Sequence, residues 1–115
     1  MQRTRRARLT AVAAGVALVG AAGAAHAVTI EKSYQGADYS TNSSTGYTVY
    51  ACDAENDDHD VSADYLRSGS QTEFHVIDSY EPGCTAGGLS TRVYRHRAVE
   101  LLPLTDAYGG WVYPH

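Results

Sequence analysis

Residues 47–66 read YTVYACDAENDDHDVSADYL, and this stretch decides the fold. Tyr47, Val49 and Ala51 alternate with Thr48, Tyr50 and Cys52, the two-residue period of a strand whose faces meet different surroundings. Val61, Ala63 and Tyr65 alternate with Ser62, Asp64 and Leu66 in the same way. Between them, residues 53–60 are acidic and polar, with no apolar side chain larger than alanine, so they read as a turn. Two alternating runs joined by a polar turn are the seed of an antiparallel sheet.

The same pattern extends outward. Residues 72–77 put Phe74 and Val76 on one face, a third strand, and residues 90–99 carry Thr91, Val93 and Tyr94 as a fourth. Residues 28–30 are expected to begin an edge strand, and Trp111-Val112-Tyr113 to close the domain as a last one. Residues 40–46 (STNSSTG) have no apolar period and read as a flexible loop, while residues 79–88, with Pro82, Gly83, Gly87 and Gly88, read as a long turn pinned by Cys84. Pro103 keeps Leu101, Leu102 and Leu104 out of a helix interior or a central ladder. No helical stripe of ten residues runs beyond residue 27. The expectation is an all-β chain, a small antiparallel β-sandwich or open barrel with one disulfide. Nine tyrosines and a tryptophan offset the shortage of Ile, Leu and Phe in its core.

Residues 1–27 read as an N-terminal signal peptide. Arg3, Arg5, Arg6 and Arg8 form a basic start, residues 9–25 are uncharged, and Ala25-His26-Ala27 is a small-x-small cleavage pattern. The run is short of the 20 or so strongly apolar residues a membrane span needs. Thr4-Arg5-Arg6 hints at a twin-arginine signal, but Arg8 replaces the apolar residue of that motif. No cysteine near the cleavage point offers a lipid anchor. The expected product is a single secreted, extracellular β domain, residues 28–115, monomeric and free of the membrane. It holds five basic against 13 acidic side chains, a formal charge of −8 with histidine neutral. That balance excludes nonspecific binding to nucleic acid or an anionic membrane, which draws on excess Lys and Arg. Export to an oxidising compartment makes Cys52 and Cys84 the expected disulfide. Closing a loop of about 33 residues would stabilise the fold by roughly 3–4 kcal/mol.

The run Val49-Tyr50-Ala51-Cys52-Asp53-x-Glu55-x-Asp57, followed by Val61-x-Ala63-x-Tyr65, resembles a group of small secreted actinobacterial, Streptomyces-type β-domain proteins with a C-D-x-E-x-D turn. Val76-Ile77-Asp78, Gly83-Cys84, Arg92-Val93 and Trp111-Val112 continue the likeness, which covers about 65 residues of the chain. Asp58 stands where the group has a turn glycine, and Tyr94 where it has a cysteine whose partner near Ala107 or Tyr108 is also missing. The resemblance implies a secreted β fold and carries over no catalytic residue.

Three constellations bear chemistry. Asp53, Glu55, Asp57 and Asp60 put hard oxygen ligands at near-alternate positions, as a calcium loop does. Against that stand Asp58 at the sharp-turn position and Asp64 in place of a bidentate glutamate, so the competing reading is a solvated acidic turn without any cofactor. Arg92, Arg95 and Arg97 form a basic strand that either binds an acidic partner or balances charge. Alternation places Arg95 and Arg97 with Val93, and His96 with Arg92 and Tyr94. Tyr34, Tyr39, Tyr108, Trp111 and Tyr113 could stack on a glycan, although Trp111 is the first aromatic expected in the core. No GxSxG, HExxH or phosphate loop occurs. The expectation is a non-enzymatic binding module for an extracellular protein or glycan, with Arg92, Arg95, Arg97, Tyr108 and Trp111 as its candidate binding residues. The alternatives are a small hydrolase or ribonuclease using Glu73 as base, Arg92 or Arg95 as clamps and His96 as acid, with His75 half-buried structure, or a domain that binds calcium as a structural ion.

Overall fold

The computed structural model describes residues 27–115, so residues 1–26, nearly all of the expected signal peptide, lie outside it. Eight strands form two antiparallel four-stranded sheets: β1 (Lys32–Gln35), β2 (Asp38–Asn42), β3 (Thr48–Cys52), β4 (Val61–Arg67), β5 (Phe74–Asp78), β6 (Thr85–Gly88), β7 (Val93–Glu100) and β8 (Ala107–Tyr108). One sheet runs β1-β2-β3-β6 and the other β5-β4-β7-β8, an open sandwich with no closed barrel. The described residues contain no helix, and hence none long and apolar enough to cross a membrane.

The alternating run at residues 47–66 becomes β3 and β4, one in each sheet, so its acidic turn carries the chain from one layer to the other. Val49 and Ala51 of β3 meet Ala63 and Tyr65 of β4 and Val93 of β7, with Phe74, Val76 and Leu89 against them. Tyr65 stacks on Phe74 with ring centroids 5.8 Å apart, a large share of the apolar area in so small a core. Gly87 makes room for it: a methyl group there would lie 2.6 Å from the Tyr65 hydroxyl. Cys52 and Cys84 form the disulfide. It ties the end of β3 to the residue before β6, beside the Ala51–Thr85 pair of the ladder, where the chain re-enters the first sheet.

Several expectations shift. Residues 40–42 are not loop but the second half of β2, and residues 85–88 of the expected long turn form β6. The first strand is Lys32–Gln35 rather than residues 28–30. It pairs with β2 through a two-residue turn, Gly36-Ala37, in which Gly36 has φ 64°, the left-handed value such hairpins require. At the C-terminus, β8 is residues 107–108, and Val112 contributes a single bridge to His96. The last residues reach the segment that precedes β1, where His115 exchanges hydrogen bonds with Thr29. Gly109 passes so close to β1 that a methyl there would stand 2.5 Å from the Tyr34 carbonyl oxygen.

The second half of the sandwich interior is polar. The inward side chains of β2 are Asp38, Ser40 and Asn42, all buried, and opposite them lies His96 of β7, fully buried. The Asn42 amide nitrogen donates to the carbonyls of Thr29 and Ser43, so its Oδ1 accepts from His96 Nε2 at 3.0 Å. His96 Nδ1 then accepts the Ser40 hydroxyl proton at 2.7 Å. Both ring nitrogens are satisfied in the neutral form, and burial pulls the imidazole down to about 4. Ser33 completes this layer, donating to the Gly110 carbonyl at 2.6 Å and accepting from the Ala98 amide at 3.1 Å.

Candidate functional site

The outer face of the β5-β4-β7-β8 sheet collects most of the remaining chemistry. A bulge makes this possible. Leu66 pairs with Arg95, but Arg67 pairs with Val93, so Tyr94 is skipped in the ladder. Val93 therefore joins His96 and Ala98 on the inner face, while Arg95 and Arg97 point outward; simple alternation had grouped Val93 with the arginines. Trp111 is only partly buried and serves as a stacking platform rather than as core. The Arg95 and Arg97 guanidinium carbons lie 4.0 and 4.3 Å from its ring centroid. Arg97 also lies 4.2 Å over Tyr108, and Arg95 donates to the Tyr113 hydroxyl at 3.3 Å. Tyr113 in turn meets Tyr94 edge-on at 5.5 Å.

This ladder of arginines and aromatics continues into an ionic row. Arg97 Nε donates to Asp64 Oδ2 at 3.2 Å, and the other carboxylate oxygen of Asp64 holds His75 Nδ1 at 2.6 Å. Glu73 Oε2 lies 3.8 Å from His75 Nε2. Asp64 is almost fully buried, whereas the His75 side chain is 54% exposed, half-buried with its Nδ1 anchored on Asp64. Asp64, Glu73, His75, Arg97, Tyr108 and Asp106 line a groove of about 250 Å³, with Ile77, Val99 and Leu101 as its apolar wall. Arg92 does not join the ladder, and His96 is sealed in the interior, where it cannot reach a substrate as an acid. From sequence Asp64 enters only as the end of a calcium-type loop and His75 only as half-buried structure, not as partners in one site. The available signal was a charged residue at an alternating strand position facing a second charged strand, Asp64 against Arg97 in the ladder.

A second cluster forms where β2 begins. Glu55 and Asp57 of the β3–β4 loop meet Asp38 and Glu100, each residue offering an oxygen within 4.8 Å of the others. Asp53 and Asp60, expected in the same ligand set, are placed differently. Asp53 Oδ1 accepts the Glu55 amide at 3.2 Å, an Asx-type turn, and Asp60 is exposed. Asp58, at the position where glycine was expected from the resemblance, adopts φ 61°. Asp38 Oδ1 accepts the amides of Ala54 at 2.8 Å and Glu55 at 3.1 Å, which fixes the path of the loop. Its second oxygen is buried with no hydrogen-bond partner among the described residues. Burial, reinforced by the neighbouring Glu55 carboxylate, pushes the Asp38 carboxyl up to about 7. The hydrogen bond with Asp57, together with burial, raises Glu100; Asp57 itself is held below the usual range because bonds from the His59 amide and Glu100 outweigh desolvation. Burial also raises Asp53.

Set against protein-family models, curated proteins and solved structures, the chain finds no match.

Proposed function

We propose that the chain is an extracellular binding module whose outer β5-β4-β7-β8 face docks a cationic segment of a protein partner. One observation carries this reading: a groove of about 250 Å³ combines an apolar wall with three carboxylates, Asp64, Glu73 and Asp106, against the single arginine Arg97. The charge of −8 over residues 28–115 would steer a positive partner towards it. The guanidinium groups of Arg95 and Arg97 occupy ring surface of Trp111 and Tyr108 on which a sugar would stack, which favours a peptide over a glycan. Selecting a random peptide library on the immobilised full chain tests the proposal. Lys- or Arg-rich sequences with an apolar residue should be enriched, bind less tightly as salt rises, and be lost with Glu73→Gln or Tyr108→Ala. Enrichment without charge preference, or binding on a glycan array instead, overturns it.

A second reading rests on His75. An imidazole anchored through Nδ1 on a buried carboxylate, with Glu73 near its other nitrogen, is the arrangement an acid–base hydrolase uses. It shifts the hydrolytic alternative from His96 to His75, and from Arg92 or Arg95 to Arg97. RNA cleavage by the wild type that disappears with His75→Ala supports it, and no cleavage above buffer removes it.

A further inference from the structure

We propose that Asp38, Glu55, Asp57 and Glu100 form a calcium site that clamps the start of β2, the β3–β4 loop and the end of β7 together. The four carboxylates come from three separate parts of the chain and from both sheets, so the site is built by the fold and not by a local loop.

The four oxygens all lie within 4.8 Å of one another, close enough to share one ion. Four protein carboxylates suit calcium, which takes about six to eight oxygen ligands, better than magnesium, which keeps several waters and is usually held by one or two carboxylates. All four ligands are hard carboxylates with no imidazole or thiolate among them, which suits calcium over zinc or copper.

Asp38 supplies the independent indication. It is completely buried, its Oδ1 is fixed by two loop amides, and its Oδ2 has no hydrogen-bond partner among the described residues. A buried carboxylate oxygen with no partner is costly, and a cation would satisfy it directly. Gly36 gives Glu55 space to turn in, since a methyl there would lie 3.0 Å from Glu55 Oε1.

The test uses the full chain, stripped with EDTA and then melted with increasing CaCl₂ near neutral pH. At about a hundredfold excess over Kd, the midpoint should rise by roughly 10 °C for a domain of this size. Asp38→Asn and Glu100→Gln should each abolish the rise, whereas Asp60→Asn, exposed and outside the ligand set, should keep it. MgCl₂ should shift the midpoint less. No rise up to about 10 mM CaCl₂, beyond the affinity range of extracellular calcium modules, overturns the site. So does an equal rise in all variants, which would be general screening of acidic charge. Cooperative melting in EDTA shows that each variant folds; if Asp38→Asn does not, Glu100→Gln, at the partly exposed end of β7, decides.

Discussion

Asp38 and His96 pull the stability of this domain in opposite directions as pH changes, and Asp38→Asn should expose that opposition. The Asp38 carboxyl is raised from 3.8 to about 7, so its proton is held by the folded chain. The stability this contributes is fully present below the unfolded value and is lost as pH rises through the folded one. At about 1.4 kcal/mol per pH unit, the whole interval is worth roughly 4 kcal/mol. His96 is lowered from 6.5 to about 4, so the folded chain keeps it neutral and loses stability as pH falls through that window, by roughly 3 kcal/mol. Between about pH 4 and 6.5 the two slopes nearly cancel. Asn retains Oδ1 for the Ala54 and Glu55 amides and offers an uncharged donor to Glu55, so it removes the titration without removing the contacts. Urea unfolding in EDTA should therefore show the variant gaining about 3 kcal/mol relative to wild type from about pH 4.5 to about pH 6.5. Glu100 and Asp57 titrate in both proteins, so their contributions cancel in the difference, while Asp53 loses only the hydrogen bond with Asp38 that partly lowers it. Parallel profiles for the two proteins would refute the idea that Asp38 holds a proton in the fold.

The remaining predictions concern the scaffold. Replacing Cys52 and Cys84 together by alanine should lower unfolding free energy by roughly 3–4 kcal/mol in urea, since the bridge closes a long loop between layers; a loss below about 1 kcal/mol would show that the unfolded chain is already compact. Gly109→Ala should cost about 2 kcal/mol or more because the new methyl meets backbone at 2.5 Å, while Gly110→Ala, with no atom within 4 Å, should change stability by less than about 0.5 kcal/mol. Equal effects would mean that the C-terminal segment does not press on β1. Asp58→Gly should be neutral or stabilising by up to about 1 kcal/mol, because φ 61° favours glycine, and a clear destabilisation in the same assay would place Asp58 in a contact of its own.

What the sequence determined alone was the part written in period two. Val49 and Ala51, and Val61, Ala63 and Tyr65, announce β3 and β4 and half of the core, because apolar alternation is a local signal of a strand with one buried face. The two cysteines likewise allowed one pairing within the chain, and the structure has it. Elsewhere burial and polarity part company. β1 and β2 turn Ser33, Asp38, Ser40 and Asn42 inward, so their alternation is polar against polar and reads as loop, while the glycines of β6 carry no signal at all. Those polar residues are tolerable inside only because His96, Gly110 and loop amides arrive from distant parts of the chain to bond them. The bulge at Tyr94 and the meeting of Asp38 and Glu100 with Glu55 and Asp57 are of the same kind. Each depends on strand register and on the packing of two sheets, which are long-range facts. Local periodicity can say which face of a strand is buried, but only the tertiary structure decides what that face is buried against.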